Sequence, residues 1–384
     1  MKPKFADRIA SMPTSVFSTM GKLALEHKAV NLGQGFPDFD GPGWIQEEAF
    51  KAMKSGLNQY APMNGIFTLR NNISNAFLNN YNMQWNPDTE ITITAGATEA
   101  LYSTITALVN PGDEVMMFEP YYDAHQADVI LAGGIPTYVT LRKPDFSFDP
   151  EDLEETVSNK TKILIINNPH NPTGKVYTRS EFDQIATFAI KHNLLVISDE
   201  VYEFLTFDGI KHIPIATLPG MRDRTITISS TGKTFGMTGW KIGYAIACPE
   251  LTVAVQKVHQ WTTFAVNTPG QHAMAYAFSK LDGYLPDFRA LYQSKRDLLF
   301  ERLKETAFTP HKPDGSYFMM VDIPESAGEE DIDCSTRLVK DLGVATIPPS
   351  VFYSKSDEGK SMLRLCFAKK DETLLQGIEK LKAY

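Results

Sequence analysis

Short apolar runs separated by longer mixed stretches recur between residues 90 and 247: Glu90-Ile-Thr-Ile-Thr-Ala, Asp113-Glu-Val-Met-Met-Phe, Lys162-Ile-Leu-Ile-Ile-Asn, Leu194 to Ser198, Arg224-Thr-Ile-Thr-Ile-Ser and Gly243-Tyr-Ala-Ile-Ala. Runs of this length and composition read as buried strands. The segments between most of them have helical composition, so strand and helix alternate. That pattern predicts an α/β fold with a mainly parallel sheet, whose ligand sites lie at the carboxyl ends of the strands. Past about Gly283 the texture changes: a charged helical stretch through Arg296 and Lys304 precedes two further strand-like runs, Tyr317-Phe-Met-Met-Val and Met362-Leu-Arg-Leu-Cys-Phe. The expected division is a large unit over 46–283 and a smaller α+β unit of 284–384 joined by the N-terminal segment 1–45.

Two of the strands end in residues with chemical potential. The run from Ile228 leads into Ser229-Ser-Thr-Gly-Lys233, delivering one amine into a turn of small residues, and Leu194-Leu-Val-Ile-Ser-Asp-Glu-Val-Tyr202 ends in an acid with a phenol three positions on. Taken singly, Lys233 is a solvated loop residue, Asp199 a helix cap and Tyr202 an amphipathic core residue. Taken together they match what pyridoxal phosphate requires: an imine-forming lysine, an acid for the ring nitrogen, and donors for the phenolic oxygen and the phosphate.

Further pieces fit that set. Thr94-Ala-Gly-Ala-Thr-Glu-Ala-Leu101 follows a strand and opens a helix-forming run, so the amides of Ala97 and Thr98 are expected to point out of a helix start, where phosphate binds. Ser230 and Lys241 are candidate phosphate donors. Asn171, within the turn-rich Asn167-Asn-Pro-His-Asn-Pro-Thr-Gly174, is a candidate partner of the phenolic oxygen beside Tyr202. Tyr122 is a candidate to stack on the ring, with the adjacent Tyr121 its equal on chemistry alone.

Composition narrows the alternatives. A chain of 384 residues with a formal charge of −9 has room for two units and carries no electrostatic footprint for nucleic acid. Cys248, Cys334 and Cys366 have no metal-type spacing and cannot all pair with one another, which suits a reducing compartment. The start, Met1-Lys-Pro-Lys-Phe-Ala-Asp-Arg8, lacks the apolar core of a signal peptide, and no segment approaches the length of a membrane-spanning helix, so a cytoplasmic protein without a membrane partner is expected.

The whole chain resembles the fold-type I, aspartate aminotransferase-like family of pyridoxal-phosphate enzymes. The markers are Asn31-Leu-Gly-Gln-Gly-Phe-Pro-Asp-Phe39, Asn58-Gln-Tyr-Ala-Pro, Asn168-Pro-His-Asn-Pro-Thr-Gly, Ser198-Asp-Glu-Val-Tyr, the Lys233 motif and Leu363-Arg-Leu-Cys-Phe-Ala-Lys. The resemblance implies that Lys233 holds the cofactor as an imine and serves as general base. Asp199 would pair with the ring nitrogen, and Tyr202 with Asn171 would bind the phenolic oxygen. Ala97, Thr98, Ser230 and Lys241 would hold the phosphate. Tyr60 matches a tyrosine that crosses to the neighbouring subunit's phosphate, implying a homodimer with shared sites. Arg364 matches the arginine that grips the substrate carboxylate, with Gly35 supplying a backbone amide.

Gly232 stands where many members have a second serine, and Lys241 where many have an arginine. The branch sharing these features is that of the kynurenine, glutamine and methionine aminotransferases, and Thr14-Ser-Val-Phe-Ser-Thr-Met20, Gln59-Tyr-Ala-Pro-Met63 and Met237-Thr-Gly-Trp240 look most like its bacterial methionine-specific members. The expected substrates are an amino acid and a 2-oxo acid. Phe17, Phe36, Tyr122, Phe264 and Phe352 are candidates for an apolar side-chain pocket, and no second arginine for a dicarboxylate stands out. Rival readings fare worse: Thr231-Gly-Lys-Thr234 fails as a phosphate loop because Thr227 holds the first glycine position, and Gly33-Gln-Gly35 fails as a dinucleotide fingerprint at Asp38. A β-lyase of sulfur amino acids and a non-enzymatic, cofactor-binding sensor remain alternatives on the same scaffold.

Overall fold

In the computed structural model, which describes residues 5–10, 12 and 14–384, the chain forms β1 (Val30–Asn31), β2 (Ile91–Thr94), β3 (Glu114–Glu119), β4 (Ile135–Thr140), β5 (Thr161–Asn167) and β6 (Leu195–Asp199). There follow β7 (Thr225–Ser230), β8 (Gly243–Ile246), β9 (Thr309–Pro310), β10 (Phe318–Asp322), β11 (Val344–Ala345) and β12 (Met362–Cys366). Residues 1–4, 11 and 13, part of the expected N-terminal segment and of the Met1–Arg8 stretch, lie outside the described residues.

Each apolar run expected as a strand between 90 and 247 is one, and together with β4 they make a seven-stranded sheet in the order β2-β8-β7-β6-β5-β3-β4. All neighbours are parallel except at β8, which runs antiparallel to both β2 and β7. The runs are apolar throughout because both faces are covered. Val115, Met117, Ile163, Ile165, Ile197 and Ile228 pack with Leu101 and Ile105 of helix Gly96–Leu108 and Val255 of helix Pro249–Thr262. The alternate residues Met116, Phe118, Leu164, Ile166 and Val196 pack with Phe182, Ile185 and Phe188 of helix Arg179–Lys191. Each such side chain contributes about 1.5–3 kcal/mol by leaving water, so truncating Ile165 to Ala, with no room to collapse, costs about 2–5 kcal/mol.

β4 was not among the expected strands. Its Pro136 has no N–H to give to a ladder, which restricts such a strand to a sheet edge, and β4 is the edge, with Val115 opposite Pro136.

The later runs form a second, antiparallel sheet, β12-β10-β9, in which Met320 lies opposite Arg364. The charged stretch is one helix, Leu281–Leu303, which continues through the expected division at 283/284 and buries Leu285, Phe288, Tyr292 and Leu299. β1 pairs in parallel with β11, placing Asn31 beside Ala345. Leu32 then donates to Ala345 and accepts from Cys366, so the segment leading to Gly35 is tied to the second sheet. No helix among the described residues is long and apolar enough to cross a membrane.

Candidate active site

β5, β6 and β7 lie side by side and parallel, so their carboxyl ends bring Asn167, Asp199 and Ser230 to one edge of the sheet. A cavity of about 320 Å³ opens there. Its walls include Phe17, Gly35, Ala97, Thr98, Tyr122, Asn171, Asp199, Tyr202, Ser230, Lys233, Lys241 and Arg364. Of the residues expected to bind cofactor or substrate carboxylate, Tyr60 lies elsewhere: it is 82% exposed and stands edge-on to Phe264, their ring centroids 5.5 Å apart.

Lys233 sits in a single helical turn, Thr231–Thr234, rather than in an open turn. Gly232 explains its seating, because a Cβ there would come within 2.9 Å of the Thr238 Cα. The absence of a second serine therefore lets the lysine turn press against Thr238. The amine lies 2.9 Å from the Tyr317 hydroxyl and 3.4 Å from the Gly35 carbonyl. Burial pushes it down to about 8, within reach of neutral pH as a free base.

Asp199 is buried at the end of β6, and His125 Nε2 lies 3.0 Å from its Oδ2. Its Oδ1 accepts from the Val201 amide, and its backbone carbonyl accepts from Asn167 Nδ2. Tyr122 meets His125 edge-on at 5.5 Å within the cavity wall, whereas Tyr121 stacks on Tyr138 in the apolar layer. That separates the two tyrosines that chemistry alone left equal. Burial raises the Tyr202 hydroxyl well above its ordinary value, keeping it a proton donor.

The helix Gly96–Leu108 begins at the cavity, where the amides of Ala97 and Thr98 belong to its first turn and have no intrahelical partner. Lys241 Nζ lies 3.2 Å from Thr98 Oγ1, and a Cβ on Gly96 would crowd that lysine at 3.3 Å. Amides, hydroxyls and one cation thus surround a space suited to a phosphate. Behind it, His259 Nδ1 faces the Glu99 carboxylate at 3.1 Å and His259 Nε2 faces the Met63 carbonyl at 2.9 Å. Burial opposes charge on His259, and the Glu99 carboxylate outweighs it, raising the imidazole.

Arg364 enters from β12, fully enclosed. Its Nη1 donates to Asn171 Oδ1 and its Nη2 to the Gly33 carbonyl, each at 2.9 Å, while its Nε is buried without a partner. The guanidinium lies 4.1 Å from the Phe318 ring centroid and 5.0 Å from that of Phe17. Phe36 lines the mouth, and Phe352 packs behind Phe17 at 5.8 Å. Phe264, expected as a pocket aromatic, is with Tyr60 and does not line this cavity. The sequence reading assigned no role to His125, Tyr317, Phe318 or Gln34, although His125 lies three residues after Tyr122, Gln34 within the Asn31–Phe39 marker, and Tyr317 and Phe318 at the start of a named strand-like run.

The description "Aminotransferase class I and II" fits residues 27–381. The chain is 41% identical to the methionine aminotransferase of Escherichia coli (strain K12) over 378 residues, 98% of this chain and 97% of that one. It is 37% identical to a kynurenine–oxoglutarate transaminase of Dictyostelium discoideum, with 98% and 96% covered. Among solved structures, an Escherichia coli protein with a methionine aminotransferase function superposes with a TM-score of 0.95 at 39% identity, covering 100% of both chains. N-succinyldiaminopimelate aminotransferase from Mycobacterium tuberculosis superposes equally well, with a TM-score of 0.95 at 39% identity over 99% of this chain and 100% of that one.

Proposed function

Because the chain belongs to the class I and II aminotransferases, which use pyridoxal phosphate, we propose that it transfers the amino group of methionine, or of another large neutral or aromatic amino acid, to a 2-oxo acid. The observation that carries this reading is the convergence of Lys233, Asp199 and Arg364 on one cavity walled by Phe17, Phe36, Tyr122 and Phe318.

The donor set suits the cofactor: a carboxylate for the ring nitrogen, a cradle of amides and cation for the phosphate, and a lowered amine between them. Pyridoxal phosphate, when bound, supplies an aldehyde carbon that takes up the amino group and a ring that draws electrons from the substrate α-carbon. Lys233, whose amine lines the cavity, would be the residue that holds that carbon between turnovers. Its amine, lowered to about 8, would serve as the base that takes and returns the substrate α-proton. Asp199 would keep the ring nitrogen protonated, and His125, 3.0 Å from its Oδ2, orients Asp199. Asn171 accepts from Arg364 through Oδ1, which leaves its Nδ2 free to donate to the phenolic oxygen together with Tyr202. Ala97, Thr98, Ser230 and Lys241, which line one end of the cavity, would hold the phosphate. Arg364 would take the substrate carboxylate through the Nη hydrogens that Asn171 and the Gly33 carbonyl leave free. A second 2-oxo acid runs the same residues in reverse, a ping-pong cycle.

The side-chain pocket holds no second arginine on its lining, which disfavours a dicarboxylate donor. A thioether against these rings gains about 0.3–1.5 kcal/mol per contact. Kynurenine and glutamine are the competing donors, the first of them named in the Dictyostelium relative. We place the cofactor-binding unit at 46–283 and the smaller unit in 1–45 with 284–384. The enzyme acts as a cytoplasmic homodimer: Tyr60, Trp261 and Phe264 are exposed aromatics near one another in sequence or space, suited to burial against a second copy, and the three buried free cysteines suit a reducing compartment. A panel of single amino acids, each mixed with the yellow enzyme while cofactor absorbance is followed, tests the donor. Methionine and the large neutral and aromatic amino acids should bleach it fastest and aspartate slowly; aspartate exceeding methionine in kcat/KM would overturn the choice.

A further inference from the structure

We propose that Tyr317 is a positioning residue for Lys233, whose hydroxyl seats the freed amine and turns its lone pair toward the substrate. This rests on the reading of Lys233 as the cofactor lysine.

Tyr317 immediately precedes β10 and is buried, its ring held by Tyr202 at 4.9 Å, Phe318 at 4.8 Å and Tyr292 at 6.3 Å between centroids. The hydroxyl therefore has little freedom. It donates to the Gly35 carbonyl at 2.6 Å. A hydroxyl has one proton, so with that proton committed its oxygen can only accept from Lys233 Nζ, 2.9 Å away. The Gly35 carbonyl, 3.4 Å from the same amine, is also an acceptor.

A neutral amine carries two hydrogens and one lone pair. With both hydrogens drawn to acceptors and the side chain fixing the third direction, the lone pair is left on the side away from Gly35 and Tyr317. A base whose lone pair is pre-aimed loses no time or entropy in searching for its proton. The Gly35 segment is built to stand this close: a Cβ at Gly35 would fall 2.6 Å from the Phe318 ring, so only glycine lets its carbonyl reach the neighbouring phenol.

Tyr317→Phe keeps the packed ring and removes only the hydroxyl. At saturating donor the amino-acid half-reaction should slow by about tenfold or more while the donor's apparent affinity changes by less than about threefold. A second readout needs no turnover: in the full chain stripped of cofactor, acylation of Lys233 by acetic anhydride, followed against pH by mass spectrometry, reports where the amine loses its proton. An acceptor stabilises the ammonium more than the amine, so its removal should move that midpoint to lower pH. Tyr317→Leu, which removes ring and hydroxyl, should share the shift. An unchanged rate, a slowed rate with an unmoved midpoint, or a shift confined to the leucine variant would each overturn the proposal. Borohydride reduction, which should fix the cofactor to Lys233 in wild type and both variants, tests the underlying reading separately.

Discussion

His125 Nε2 and Asp199 Oδ2 stand 3.0 Å apart with both side chains buried, so the acid proposed to pair with the cofactor ring is held by an imidazole on the helix following β3. The pairing orients the carboxylate and leaves its other oxygen on the Val201 amide. The two residues therefore act in series, and their substitutions should differ in size but not in kind.

Asp199→Asn should retain cofactor and slow proton abstraction by two orders of magnitude or more, roughly the weight of a general acid–base contribution. His125→Asn should slow the same step less, because Asp199 remains. Stopped-flow measurement of the isolated half-reaction checks both, and a His125 variant slower than the Asp199 variant would contradict the order.

Arg364→Lys should raise KM for all donors alike and lower kcat/KM by about 100-fold, since a point charge cannot reproduce a planar fork on a carboxylate. The change should fall on amino acids and 2-oxo acids equally, because both present the same group. Selective loss of one donor would instead assign Arg364 to the side chain.

Tyr60 and Lys233 should serve one site from opposite subunits. Each of Tyr60→Ala and Lys233→Ala should be impaired, the latter with no multiple turnover. Mixed dimers of the two chains contain one site with neither lesion, so exchange should restore activity above both parents. No gain despite verified exchange would rule out the shared site.

Asp128 is buried with its Oδ2 unpartnered, and burial pushes it up to about 7, with His125 working in the opposite sense. Because the folded value lies above the unfolded one, the carboxyl favours the folded state at low pH, and that advantage is lost as pH rises through about 7. Asp128→Asn should therefore melt higher than wild type at pH 8, by a few degrees at most (about 2–4 °C per kcal/mol in chains of 150–250 residues and less in this longer one), with the gap narrowing toward pH 5. A gap that widens toward acid pH would reverse the sign.

Local residue pattern was sufficient for six of the seven strands of the large sheet (the edge strand β4 excepted), for the placement of Lys233 and Asp199 at strand ends, and for the helix start at Gly96, because a strand buried on both faces must be apolar throughout and a helix start must leave its first amides free. Arg364 was marked only by the resemblance of its motif to a known family. The remaining contacts depended on which strands become neighbours. Asp199 meets His125, 74 residues away, because β5 alone separates β6 from β3, which brings the helix after β3 over the end of β6. Tyr317 reaches Gly35 across 282 residues because the N-terminal segment is tied to the second sheet. Tyr121 and Tyr122 are equivalent as residue types, and only the turn into helix Asp123–Leu131 sends one to the core and the other to the cavity. Such pairings are set by sheet order and chain crossing, which no local period encodes, and so the partners that orient the chemical groups were decided by the tertiary structure alone.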